Sequence, residues 1–153
     1  MKDVIIALDF KNREEVMRFL DGFPEPVYVK VGMELFYAEG PEVVREIKAL
    51  GHKVFLDLKF HDIPNTVMGA VRSAAELNVD MLNLHATGGT DMMKAAMKAL
   101  ESREVKPLMI AVTILTSMDE DALKKELHVE LPLEEQVLSL AEMTKESGLQ
   151  GVV

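Results

Sequence analysis

The sequence predicts an α/β fold, a (β/α)8 TIM barrel of parallel strands, of which the chain carries strands one to five and the opening of a sixth. Three observations lead there. Short β-rich runs begin at about positions 4, 27, 53, 80 and 107, a spacing of 23–27 residues that suits one strand plus one helix. Each run is followed by a helical pattern, and strands that alternate with helices pair in parallel through right-handed crossovers. The first four runs have one wholly apolar face and one that turns polar near its C-terminal end. In an open sheet, strands roughly 4.8 Å apart would spread those polar ends along a line. A closed barrel gathers them at one mouth.

The elements follow in order. VIIALD (4–9) is a strand, with Val4, Ile6 and Leu8 on its apolar face and Asp9 on the face of Ile5 and Ala7. Asn12 is a candidate helix N-cap with Glu15 three residues on, ahead of Val16, Phe19 and Leu20 at helical spacing. VYVKVG (27–32) is the second strand, with Lys30 on the face of Tyr28 and Gly32. The next helix takes Pro41 in its first turn, Val43, Val44, Ile47 and Leu50 as its apolar stripe, and Gly51 as its stop. HKVFLDLKF (52–60) is the third strand: Phe55, Asp57 and Lys59 share one face, and Val54, Leu56, Leu58 and Phe60 the other. Pro64 opens a helix to about Leu77. DMLNLH (80–85) sets Met81, Asn83 and His85 opposite Leu82 and Leu84. A TGGT turn and a helix from about Asp91 to Leu100 follow, then PLMIAVT (107–113) as the fifth strand. An acidic helical piece near Asp119–Leu127 precedes a helix opened by Pro132 and stopped at Gly148. LQGVV begins a sixth strand. With no linker and no low-complexity segment, 1–153 is expected to be one barrel domain, cut before strands seven and eight.

Composition narrows the function classes. A net charge of −9 argues against nucleic-acid binding, which normally needs a basic stripe. With no cysteine, disulfides, thiolate zinc sites and Cys nucleophiles are excluded. The apolar run Val4–Leu8 is too short for a signal core or a membrane span, so a cytoplasmic protein is expected, with no membrane partner.

FLDLKFHDIPNT (55–66) carries the chemistry. Asp57 and Lys59, at i and i+2, point to one side, Asp62 can fold back toward the same mouth, and Lys30 arrives from the neighbouring strand. Buried charge survives when it is paired, and Asp and Lys of alternating sign pair one another. Flanking carboxylates favour a charged Lys59, which suits a lysine that stabilises and protonates a carbanion rather than one that forms a Schiff base. A structural ion-pair cluster is the other reading of the same spacing.

Other features read more blandly. His85 is a strand-end histidine before it is a metal ligand, because His52, His61 and His128 are scattered along the chain. Met92, Met93 and Met97 form a soft stripe suited to core or dimer packing. Glu120–Glu126 is a solvated face, and T-G-G-T is either a turn or an anion-binding helix start.

DLKFHDIPNT (57–66) resembles the D-x-K-x-x-D-I-P-x-T signature of the orotidine 5′-phosphate decarboxylases. ALDF (7–10), VKVGMELF (29–36), NLHATGG (83–89), AVTILTS (111–117) and GLQGVV (148–153) agree with that family in order. The resemblance implies decarboxylation of orotidine 5′-monophosphate to UMP in pyrimidine biosynthesis, with no cofactor and no metal, in a (β/α)8 homodimer with shared active sites. It implies Lys59 as proton donor, Asp57 beside the substrate carboxylate, Asp62 reaching the partner's site, and Lys30 binding Asp57 and the ribose hydroxyls. It also implies Asp9 as a ribose ligand, and Ile63, Thr66 and Thr116 lining the ribose and pyrimidine pocket. That family grips the substrate phosphate after strands seven and eight. Magnesium-dependent sugar-phosphate decarboxylases and synthases of the same superfamily share the D-x-K-x-x-D core but usually carry a glutamate near strand two, where this chain has Lys30. A non-catalytic barrel fragment is the rival from another class.

Overall fold

The structure, a computed structural model, describes residues 4–153. Six parallel strands pair in strict sequence order, β1(Ile5–Ala7), β2(Tyr28–Gly32), β3(Lys53–Phe60), β4(Met81–His85), β5(Leu108–Val112) and β6(Gly151–Val152). A doubly wound sheet reverses its strand order at a switch point. Here every strand neighbours the next, so all crossovers run the same way and the sheet curls into a half-barrel. The helices α1(Arg13–Leu20), α2(Met33–Glu39), α3(Pro41–Ala49), α4(Pro64–Ala75), α5(Thr90–Lys98), α6(Glu120–Lys125) and α7(Leu133–Glu146) fill the connections.

The core lies between the strands' apolar face and these helices. Val29, Val31, Val54, Leu56, Leu82, Leu84, Met109 and Ala111 are fully buried from the sheet side. Val16, Val43, Val44, Ile47, Val71, Met92 and Met93 meet them from the helix side. The methionine stripe of α5 is therefore core packing, and Met93 Sδ accepts from the Thr144 hydroxyl of α7 at 3.8 Å.

Local chemistry sets the helix ends. Asn12 Oδ1 accepts from the Glu15 N–H at 3.0 Å, the first half of a capping box. Pro41 and Pro64 occupy the first turns of α3 and α4, where a missing N–H costs nothing. Gly51 and Gly148 follow α3 and α7 at φ 88° and 87°, left-handed positions that a glycine takes without strain. Asp119 caps α6 by accepting from the Ala122 N–H at 2.8 Å.

The structure departs from the sequence reading in four places. β1 covers three residues rather than six. MELFYAE after β2 forms α2, a helix the sequence reading lacked. It is a run of good helix formers too short to show a period, since Gly40 at φ 71° ends it just before Pro41 starts the next helix. The TGGT segment begins as a 3-10 turn over Ala86–Gly88. Finally, β3 does not keep a simple alternation. Leu56 registers with Leu82, but the next matched pair is Phe60 with Leu84, so β3 holds two extra residues there as a bulge.

Candidate active site

Three consecutive strands carry a line of charges at their C-terminal ends. Lys30, on β2, stands opposite Ala7 and Phe55, while Gly32 stands opposite Asp57. The Lys30 ammonium extends over Gly32, where even a methyl group would come within 3.5 Å of Nζ. From there it reaches Asp57 Oδ2 at 3.5 Å and Asp9 Oδ1 at 3.6 Å. Lys59 Nζ meets Asp57 Oδ1 at 2.6 Å. The order along the line is therefore Asp9, Lys30, Asp57, Lys59, with signs that alternate. Asp57 is 8% exposed and sits at the centre, whereas the Asp9 side chain is 74% exposed at the rim. These four residues, with Phe10 and Gly32, border a cavity of about 220 Å³.

Burial by itself would raise the Asp57 carboxyl. Hydrogen bonds from Lys59 and Asn83, together with the charges of Lys59 and Lys30, outweigh it and hold that carboxyl below the usual carboxylate value. Asn83 donates its Nδ2–H to Asp57 Oδ1 at 2.6 Å and accepts the Lys59 backbone N–H on Oδ1 at 2.8 Å. Beyond Lys59, His85 stacks against His61 with ring centroids 5.3 Å apart. Burial, then the positive charges of His61 and Lys59, push the His85 imidazole below its usual value against the pull of Asp57. Among the described residues, no three or more His, Asp or Glu side chains gather as they would around a metal ion.

The remaining sequence candidates lie on the loops around this mouth. Asp62 is exposed, and its Oδ1 accepts from the Ile63 N–H at 2.6 Å rather than joining Lys59 or Lys30. Ile63, 67% exposed, and Thr66 form the entry to α4, held by the Thr66 N–H to Ile63 carbonyl bond of 3.0 Å. Thr116 is exposed in the turn after β5. The fold thus joins Asp9, Lys30, Asp57 and Lys59 within one chain, and leaves Asp62 and Ile63, on the loop into α4, and Thr66, in the first turn of α4, exposed together. Sequence reasoning missed the part played by Asn83. Its only signal was a polar residue between two buried leucines, on the face shared with His85.

A line of alternating charge with a buried carboxylate at its centre can do two things. It can hold a ligand's hydroxyls by the outer Asp9–Lys30 pair, and it presents an ammonium beside a carboxylate in a preorganised position. No helix of the described residues is long and apolar enough to cross a membrane.

The family whose sequence profile matches residues 2–153 is described as "Orotidine 5'-phosphate decarboxylase / HUMPS family". An orotidine 5′-phosphate decarboxylase of Bacillus cytotoxicus is 55% identical over 157 residues, covering 99% of this chain and 66% of that protein. The chain thus spans just under two thirds of the length of this curated relative. The crystal structure of orotidine 5′-phosphate decarboxylase from Lactobacillus acidophilus matches with a TM-score of 0.94 and 44% identity, over 99% of this chain and 70% of that one. That of orotidine 5′-monophosphate decarboxylase from Methanocaldococcus jannaschii, complexed with the inhibitor BMP, matches with a TM-score of 0.80 and 25% identity, over 99% of this chain and 66% of that one.

Proposed function

Since the chain belongs to the orotidine 5′-phosphate decarboxylase / HUMPS family, we propose that its protein decarboxylates orotidine 5′-monophosphate to UMP in pyrimidine biosynthesis, with Lys59 protonating the carbon that loses CO2. The observation that carries this reading is the 2.6 Å pair of Lys59 Nζ and Asp57 Oδ1 at the mouth of the half-barrel. Loss of CO2 from the pyrimidine ring leaves an electron pair with no adjacent electron sink. An ammonium already fixed beside that carbon stabilises the developing charge without reorganising, and one of its protons then forms the new C–H bond. The reaction balances with no redox partner: one C–C bond breaks, CO2 departs, and one proton is taken up. No cofactor is required by this chemistry.

Asp57 has a second role in this reading. Its carboxylate faces the substrate carboxylate before the reaction and faces a neutral product afterwards, so repulsion is relieved as CO2 forms. Asp9 and Lys30 hold the ribose hydroxyls. Asp62, Ile63 and Thr66, exposed at the start of α4, serve the site of a second copy in a homodimer, and Thr116 borders the pyrimidine. The barrel is a single domain, and the protein works in the cytoplasm.

The test follows the ultraviolet absorbance of orotidine 5′-monophosphate mixed with the protein. Absorbance should fall with turnover, and Lys59→Ala should slow it by at least about 1,000-fold, since the variant loses both the charge and the proton. A Lys59→Ala protein that works at near the parent rate would overturn the proton-donor role. A folded parent protein with no turnover and no affinity for the inhibitor BMP would overturn the function.

A further inference from the structure

Asn83 sits on β4 between Leu82 and Leu84, both fully buried, and is itself only 1% exposed. It lies where the β3–β4 ladder loses its register: Leu56 pairs with Leu82 and Phe60 with Leu84, so Asp57, Leu58 and Lys59 bow out opposite this one residue. Within the bow, Lys59 takes φ 52°, a left-handed backbone that costs a β-carbon-bearing residue about 1–2 kcal/mol. A segment so placed needs an outside partner to hold it. Asn83 supplies that partner twice. Its Oδ1 accepts the Lys59 backbone N–H at 2.8 Å, and its Nδ2 donates to Asp57 Oδ1 at 2.6 Å. A side-chain amide can accept from the backbone and donate to the carboxylate together at any pH. An ionised aspartate would accept twice and repel Asp57, and a leucine would leave the Lys59 N–H without this acceptor and take one of its donors from Asp57, which keeps Lys59 and Lys30.

We propose that Asn83 is the positioning residue of this site: one side-chain amide fixes both the left-handed backbone that carries Lys59 and the carboxylate that Lys59 faces, so the ammonium is in place before substrate arrives. The catalytic half of this inference rests on the decarboxylase reading; the structural half does not.

The test therefore uses two kinds of readout. In Asn83→Ala, the Lys59 amide should exchange with solvent at least about tenfold faster than in the parent, while the Leu82 and Leu84 amides keep their protection. Asp57, followed by carboxyl-carbon NMR, should titrate at a higher pH than in the parent because it has lost a donor. With orotidine 5′-monophosphate, kcat should fall about 100-fold with KM changed less than about threefold, the mark of a misplaced reacting group. Asn83→Asp should show a kcat that recovers as pH falls, because the protonated carboxyl again both donates and accepts, whereas the parent shows no such rise. If Asn83→Ala does not fold, the pH profile of Asn83→Asp decides alone, and a profile parallel to the parent's overturns the proposal. Unchanged Lys59 exchange and Asp57 titration in Asn83→Ala also overturn it, and so does unchanged kcat. A parent protein without turnover removes the decarboxylase reading, and the exchange and titration results then decide whether Asn83 holds Lys59 and Asp57.

Discussion

Lys59 is asked to do two things that pull against each other. Its side chain supplies the ammonium at 2.6 Å from Asp57, and its backbone occupies the left-handed region at φ 52°. Lys59→Ala and Lys59→Gly both delete the ammonium, but only glycine takes that φ freely. Lys59→Gly should therefore be more stable than Lys59→Ala by up to about 1 kcal/mol in chemical denaturation, after the entropy glycine adds to the unfolded chain. An alanine variant at least as stable as the glycine variant would remove the strain. His85 and Asp57 set the acid behaviour. His85 is held below its ordinary 6.5, so as pH falls through that value the unfolded chain takes a proton that the folded chain refuses, and stability drops. Asp57 is held below its ordinary 3.8, so its contribution is full above that pH and is lost as pH falls through its lower folded value. Denaturation midpoints should decline between about pH 7 and 5, and His85→Gln should flatten that decline; an unaltered slope would count against the His85 account. The sequence made Asp57, Lys59 and Lys30 visible because charges at the end of an apolar run stand out. The strict i, i+2 alternation used to put Asp57 and Lys59 together does not survive the bulge, although the two side chains meet. Asn83 stayed hidden because its importance depends on a register slip between strands, which no single-strand pattern records.

At the scale of elements, caps and breakers were the most legible features, because each acts within a few residues. Asn12, Pro41, Gly51, Pro64, Asp119 and Gly148 all stand where helices begin or end. Helix α2 was not legible: seven residues show too little of a 3.6-residue period, and only Leu35 among them is buried. The turn after β4 carries a constraint that its composition conceals. A β-carbon on Gly88 would lie 2.2 Å from Met92 Sδ and 3.2 Å from His61 Cδ2. Met92 is fully buried, so the end of its flexible side chain would have to repack within the core to admit the methyl. Gly88→Ala should destabilise the fold by about 1–3 kcal/mol, measured by chemical denaturation, and disturb the His61–His85 stack. A variant within about 0.5 kcal/mol of the parent would show that α5 can shift to receive the methyl.

For the molecule as a whole, the polar strand ends favour a barrel over an open sheet, and the strands pair in the sequential order that a barrel has. Sequence alone could not say which acidic residue completes the charge line within one chain. Asp62 was the candidate in the signature, but Asp9 on the first loop holds that place beside Lys30, because β1 and β2 are neighbours. Asp62 is left facing outward on the loop into α4. If that loop completes a second copy's site, as proposed, Lys59→Ala and Asp62→Ala proteins that are each inactive should regain up to about a quarter of the parent activity when mixed as heterodimers, because one site in two is then intact in half of the pairs. Proven heterodimers without recovery would mean that each site belongs to one chain. The sequential strand order also bears on synthesis. Every strand's partner is the one made just before it, about 25 residues earlier by the spacing of one strand and one helix. A chain leaving the ribosome can thus dock each new strand on an edge that already exists, and the line of Asp9, Lys30, Asp57 and Lys59 is fixed once β4 arrives with Asn83, before β5 and β6 are needed.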